Sequence, residues 1–203
     1  TNRGNPFAYP VKEDGVVKLV DRSDVAIKNL ANAGVDALIC IGGDGGLSIA
    51  HRLGLKGVNV VGVPKTIDND LYATDQTFGF DTAIQTATDA LDRLVTTAEA
   101  HHRVMVVEVM GRDTGWIALH SGIAGSANAI LIPEIPFDLD KVSEFVLSRS
   151  EGGKNFSLVV VAEGAKPAGG DVTLLESNSI AGIRRLGGVG PKVGDYIAEK
   201  TGL

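Results

Sequence analysis

Two carboxylates, Asp68 and Asp70, stand two residues apart in Val63-Pro64-Lys65-Thr66-Ile67-Asp68-Asn69-Asp70, directly after an apolar run at 58–63. The run predicts a buried parallel strand that ends in a loop, and open α/β sheets bind ligands at that edge. A carboxylate pair there can take a proton from a hydroxyl and help hold a metal ion. Lys65 and Thr66 stand beside it. The same residues also make an ordinary polar turn, since Asn and Asp are common in turns. A second acidic loop, Ile41-Gly42-Gly43-Asp44-Gly45-Gly46, follows another apolar run in the same way and tips the reading toward chemistry.

In that second loop, residues without side chains let backbone N–H groups approach phosphate oxygens, and a following helix N-terminus adds partial positive charge. Asp44 repels a bare phosphate but suits one that carries Mg²⁺. The spacing is neither the dinucleotide fingerprint nor the P-loop, and a tight glycine turn is the plain alternative. A third loop, Met110-Gly111-Arg112-Asp113-Thr114-Gly115, lies between strand and helix signals. Arg112 there suits a phosphate or the charge on a transferred phosphoryl group. A cation at a helix start is otherwise disfavoured by the dipole, although a plain surface arginine is the alternative. Glu163 ends an apolar run and suits sugar hydroxyls, or is simply a strand-end carboxylate. His101-His102-Arg103 makes a poor metal site, because no third ligand is nearby.

The elements that must position these loops alternate. Apolar runs at 35–41, 58–63, 104–109, 129–132 and 158–162 predict strands. Helices are predicted at 23–33, 47–53, 80–100, 114–123, 139–150 and 189–199, with Asp138 as an N-cap and Ala83, Ile84, Ala87, Ala90, Leu91 and Leu94 as an apolar stripe. Residues 1–20 read as irregular, and 166–170 as a surface loop. Phe78, Phe80 and Trp116 read as core residues. Strand–helix alternation implies parallel βαβ units and a layered α/β fold. The best lobe boundary falls near Gly79.

Composition narrows the class. The 203 residues suffice for one sizeable domain or two small lobes, and 44% hydrophobic with 22% charged residues is globular. A net charge of −6 gives no general affinity for nucleic acid. The single cysteine, Cys40, rules out an internal disulfide and suggests a reducing compartment. No apolar run is long enough for a membrane helix, and residues 1–6 are not a signal peptide. The 26 glycines are about twice the usual share and gather at strand ends and helix starts.

Taken together, Gly42-Gly43-Asp44-Gly45, Pro64-Lys65-Thr66-Ile67-Asp68-Asn69-Asp70, Val107-Glu108-Val109-Met110-Gly111-Arg112 and Glu163 resemble the phosphofructokinase family. Order and spacing match across nearly the whole chain. The second piece is highly specific; the first is shared with NAD kinases and lipid kinases. The resemblance implies a Rossmann-like parallel-sheet fold of two lobes, incomplete at both ends. Residues 1–79 would be part of the phosphoryl-donor lobe and 80–203 part of the fructose 6-phosphate lobe. It also implies phosphoryl transfer to the 1-hydroxyl of fructose 6-phosphate, in the cytoplasm, as a step of glycolysis.

Residue by residue, the resemblance makes Asp68 the general base. Thr66 would bind the sugar and the transferring group, and Asp44 and Asp70 would serve Mg²⁺. Arg112 would stabilise transition-state charge. Ile67, Met110 and Gly111 would line the sugar site, and Glu163 would hold sugar hydroxyls. Arg103 would reach the 6-phosphate of a neighbouring subunit's substrate, which implies a homo-oligomer, dimer or tetramer. Arg3 and Gly4 match a segment near the donor phosphates, joined there by Gly43, Asp44, Gly45 and Gly46. Gly45 favours ATP, because pyrophosphate users commonly carry aspartate at that position. Lys65 points the other way, toward a contact with pyrophosphate. Gly46 departs from the family's usual Ser or Thr.

Further family segments are expected on both sides: a first strand with a glycine-rich donor loop, and a glutamine-arginine-glycine-glycine segment with sugar-phosphate ligands. The chain is therefore expected to be a central fragment, weakly active or inactive alone. A pyrophosphate-dependent enzyme, a non-catalytic regulatory or assembly subunit, and an NAD kinase are the competing readings. The last accounts for residues 42–45 only.

Overall fold

The computed structural model describes residues 4–13, 15–175 and 185–203. They form two compact units: Thr1–Thr66 with Leu71–Thr74, and Ile67–Asp70 with Asp75–Leu203. Among the described residues, no helix is long and apolar enough to cross a membrane.

The first unit opens with an antiparallel hairpin, β1 (Tyr9–Glu13) and β2 (Val16–Val20), where an irregular segment was expected. Two prolines and a glycine suggested irregularity. Yet Pro10 is tolerated in an edge strand, and Gly15, at φ 82°, supplies a left-handed turn residue. Helix α1 (Ser23–Asn32) leads to β3 (Leu38–Gly42), then α2 (Asp44–Leu55) and β4 (Val60–Thr66). Strands β3 and β4 are parallel, with Gly42 opposite Pro64. Two boundaries move at the glycine loop and its neighbour. Helix α2 starts at Asp44, so Gly45 and Gly46 lie in its first turn and not in a loop. Strand β4 carries on through Pro64, Lys65 and Thr66, so the acidic loop begins at Ile67.

The second unit begins with the short β5 (Phe78–Gly79) and the long α3 (Phe80–His101). Then come β6 (Val104–Val109), α4 (Trp116–Ala124), β7 (Ala129–Leu131), α5 (Leu139–Glu151), β8 (Ser157–Ala162) and α6 (Val189–Thr201). The sheet is parallel in the order β6-β8-β7. All six residues of β8 are buried, as expected of a central parallel strand covered on both faces. Leu158, Val159, Val160 and Val161 pack with Leu91 of α3, Val146 of α5 and Val193 and Ile197 of α6. Asp138 caps α5, its carboxylate accepting from the N–H groups of Asp140 and Lys141.

The expected α/β class with parallel sheets holds. The aromatic expectation needs correction. Phe80 is buried, but Phe78 is 63% and Trp116 42% exposed. Both stand at helix entries, not on a core-facing stripe. The Trp116 ring tilts toward His120, centroids 6.0 Å apart, and His120 meets Phe80 edge-on at 5.4 Å.

Candidate active site

In the first unit, the parallel pairing of β3 and β4 brings the exit of one strand beside the end of the other. A Cβ on Gly43 would lie 3.6 Å from both the Lys65 carbonyl and Thr66 Cβ. Gly43 is the extended N-cap residue of α2; its carbonyl accepts from Leu47 N–H at 2.9 Å, and no side chain caps the helix. The first-turn N–H groups have no partner within the helix. Asp44 sits in that turn, exposed, with no side-chain hydrogen bond or ion pair to any described residue. A Cβ on Gly45 or Gly46 would meet nothing within 4 Å. Lys65 is exposed and Thr66 half-buried at the end of β4. Gly4 is exposed in the same unit, and Arg3 lies outside the described residues.

In the second unit, the C-terminal edge of the β6-β8-β7 sheet gathers the remaining residues. The loop after β6 is pinned by the residue after β8: Glu163 Oε1 accepts from Arg112 N–H at 3.0 Å and Gly111 N–H at 3.4 Å. Gly111 has φ 149° and Arg112 φ 51°, and a Cβ on Gly111 would strike the Thr114 carbonyl. Gly111 is thus required both for its conformation and for its clearance. The Arg112 side chain is exposed, with no ion pair to any described residue, and Met110 beside it is 58% exposed. Glu163 was expected to hold sugar hydroxyls; what the structure shows is one of its oxygens holding the arginine loop.

The Asp68 loop joins this edge. Asp68 is buried, 9% exposed, between half-buried Ile67 and Asn69, while Asp70 is exposed. Asn69 takes a left-handed conformation, φ 53°, and its Oδ1 accepts from Thr77 N–H at 2.9 Å. Thr114 Oγ1 donates to the Asp68 carbonyl at 2.9 Å, which links the Asp68 loop to the arginine loop.

Arg103 lies at the other end of β6, exposed just before Val104. A six-residue strand separates it from the Gly111–Arg112 loop, roughly 20 Å of extended chain. It does not join the cluster within this unit.

Sequence reasoning missed several residues that hold the edge in place. Gly164 is one: a Cβ there would collide with the Arg112 carbonyl. Glu134 is another, accepting from Gly115 N–H at 2.9 Å where α4 begins. Glu108 on β6 accepts from Gly188 and Gly190 N–H groups, at 2.9 and 2.7 Å, where α6 begins. An acidic residue anchoring a distant helix start leaves no local signature. Thr114 was expected to open the helix that in fact starts at Trp116, and Asn69 was expected in its loop without a partner. No group of three or more His, Cys, Asp or Glu side chains among the described residues is arranged to hold a metal.

The fold and these loops define an α/β protein with parallel sheets and glycine-containing loops at its strand ends. A family model described as Phosphofructokinase matches residues 1–203, and the chain belongs to that family. It is 58% identical over 196 residues to the ATP-dependent 6-phosphofructokinase 2 of Clostridium perfringens, covering 95% of this chain and 53% of that protein. It is 54% identical over 204 residues to the pyrophosphate–fructose 6-phosphate 1-phosphotransferase of Amycolatopsis mediterranei, covering 100% of this chain and 56% of that protein. Among solved structures, the pyrophosphate-dependent phosphofructokinase from Marinobacter aquaeolei matches with a TM-score of 0.74 and 26% identity, over 89% of this chain and 45% of that one. The chain spans about half the length of the curated relatives it matches.

Proposed function

We propose that the full-length protein carrying this chain is a 6-phosphofructokinase, transferring a phosphoryl group from ATP to the 1-hydroxyl of fructose 6-phosphate. The observation that carries this reading is the joining of the Asp68 loop to the Arg112 loop through Thr114, with Glu163 holding the latter. Buried Asp68 takes the proton from the 1-hydroxyl. The resulting oxygen forms a bond to the terminal phosphorus as the bond to the leaving ADP oxygen breaks. Arg112 stabilises the charge that develops on the transferred group, and positioning supplies most of the remainder. Met110, Gly111 and Ile67 shape the sugar side, and the second oxygen of Glu163 accepts a sugar hydroxyl.

Asp44 of the first unit and Asp70 of the second each suit Mg²⁺ by their own chemistry. Asp44 and Asp70 each offer an exposed carboxylate without a protein partner among the described residues, and Mg²⁺ is usually held by one or two carboxylates, water and substrate phosphates. When bound, it neutralises charge on the donor phosphates. Thr66 and Lys65 lie at the end of β4 beside Gly43 and serve the donor and transferring phosphates. Gly4 and Arg3 complete the donor segment. The lobe assignment, donor in 1–79 and sugar in 80–203, belongs to the same reading, as do cytoplasmic glycolysis and a homo-oligomer. Arg103, far along β6 from Arg112, serves a neighbouring subunit's sugar phosphate and not its own.

The open space at Gly45 supports ATP, since it leaves room for the nucleotide's further phosphate. Lys65 and the similarity to a pyrophosphate–fructose 6-phosphate 1-phosphotransferase favour a second reading, with pyrophosphate as donor. The test is phosphorylation of fructose 6-phosphate by the full-length protein, with ATP and pyrophosphate compared in the presence of Mg²⁺. Turnover with ATP only supports the first reading, and Gly45→Asp then abolishes it. Turnover with pyrophosphate only supports the second. No turnover with either donor, or full activity of Asp68→Asn, leaves a non-catalytic subunit as the better account.

A further inference from the structure

We infer that Thr114 is a positioning residue for this transfer: its hydroxyl fixes the Asp68 base against the arginine loop. The inference rests on the 6-phosphofructokinase reading. Both loops are built from backbone conformations that side-chain-bearing residues rarely adopt, Asn69 at φ 53° and Arg112 at φ 51°. Such conformations persist only where surrounding contacts over-determine them. Each loop has its own brace, Thr77 on Asn69 and Glu163 on Gly111 and Arg112. Those braces fix each loop separately. Thr114 spans the two.

Hydrogen-bond arithmetic shows where its proton goes. Thr114 Oγ1 lies 2.9 Å from the Asp68 carbonyl and 3.1 Å from the Gly111 carbonyl, and a hydroxyl has one proton to give. The Gly111 carbonyl also accepts from Thr114 N–H at 3.0 Å, so it stays satisfied when the hydroxyl gives its proton to the nearer Asp68 carbonyl. The peptide unit that carries the base is thereby held to the peptide unit that precedes the cation. Asp68 is buried, so its carboxylate has little freedom of its own, and its aim follows its backbone. A displacement of an ångström at such a place costs about a hundredfold in rate.

The test uses the full-length protein with Mg²⁺, fructose 6-phosphate and whichever donor it turns over. Thr114→Val keeps the shape and removes the proton; kcat falls about 10- to 100-fold, while KM for the donor moves less than about threefold. Thr114→Ser returns the hydroxyl and restores kcat to within about threefold. In an Asp68→Asn background, Thr114→Val has less than about twofold further effect, because the group it positions is gone. Should the valine protein not fold, Thr114→Ala is read against the same expectations. A Thr114→Val enzyme at the wild-type rate, a serine variant as slow as valine, or a full Thr114→Val effect without the Asp68 carboxylate each overturns the inference and leaves the kinase reading standing. Full activity of Asp68→Asn alone sinks both.

Discussion

The two units solve the same problem, a loop at a strand end, in opposite ways. In the first, the turn from β3 into α2 has no side-chain cap among the described residues: Gly43 is the N-cap, and a Cβ on Gly45 or Gly46 would meet nothing within 4 Å. In the second, several turns at the sheet edge are held by side chains: Glu163 accepts from Gly111 and Arg112, Glu134 from Gly115, Glu108 from Gly188 and Gly190, and the loop's own Asn69 from Thr77 N–H. The difference fits the proposed roles. On that reading, unbraced N–H groups at a helix start are themselves ligands for phosphate. A base and a cation would instead be aimed before substrate arrives, and bracing would do the aiming.

The largest effect should come from removing the group that the bracing aims. Asp68→Asn is nearly isosteric, so the loops stay in place while the proton acceptor is lost. General-base catalysis contributes about 10²–10⁴ in rate, and kcat should fall by that much with KM for fructose 6-phosphate nearly unchanged. Steady-state kinetics on the full-length protein checks it. A large change in KM with kcat preserved would break the comparison, since it would make the braced loop a binding device only.

One substitution, glycine to alanine, reads the two designs directly. At Gly164 the new methyl meets the Arg112 carbonyl, with Pro133 3.3 Å away on another side. Relief requires moving the braced loop, so Gly164→Ala should destabilise by about 1–3 kcal/mol and slow turnover. At Gly45 there is nothing to meet, and the residue sits in a helical turn. Gly45→Ala should leave stability unchanged or raise it by up to about 1 kcal/mol, because alanine is the better helix former. Its penalty should appear in the KM for the donor, about tenfold, and not in unfolding. Denaturant melts and donor titrations of the pair test this; destabilisation by both would show that the first loop is braced after all.

How much of this was legible in the sequence follows the same division. Buried parallel strands announce themselves as apolar runs, and β6, β8 and the long α3 lie close to where hydrophobic period placed them. The glycine turn was legible because its function lies in the backbone, which glycine spacing reports. What failed were features decided over distance. The hairpin of β1 and β2 is exposed at Val16, Val17 and Leu19, so no inward-facing pattern marks it. Helix α2 begins at Asp44 because glycines weaken a helical turn without forbidding it. The braces at Glu108, Glu134 and Gly164 join residues that are remote in sequence, and nothing near any of them foretells its partner. Asp68, Asp70, Arg112 and Glu163 could be picked out as candidates; which of them touch the same loop could not.

The smallest expected effect asks whether side-chain bracing in the second unit matters away from its site. Asp140 on α5 accepts from Tyr196 Oη at 2.7 Å and pairs with Lys200 at 3.1 Å, tying α5 to α6. The Tyr196 hydrogen bond, then that from Lys200, holds the Asp140 carboxyl below its usual range, and the same contact raises the Tyr196 phenol. The signs follow from linkage. A depressed carboxyl adds stability that is present above its unfolded value and is lost as pH falls through the folded one. A raised phenol adds stability that is present below its unfolded value and is lost as pH rises through the folded one. The tie is therefore complete between about pH 4 and about pH 10 and fades outside that window. Asp140 and Lys200 are exposed and Tyr196 half-buried, so the effect is small and screened by salt. Asp140→Asn should lower the melting temperature slightly at pH 7 and not at all near pH 2, while leaving KM and kcat alone. An equal loss at both pH values would mean that the asparagine disturbs helix packing, not the charge-assisted tie.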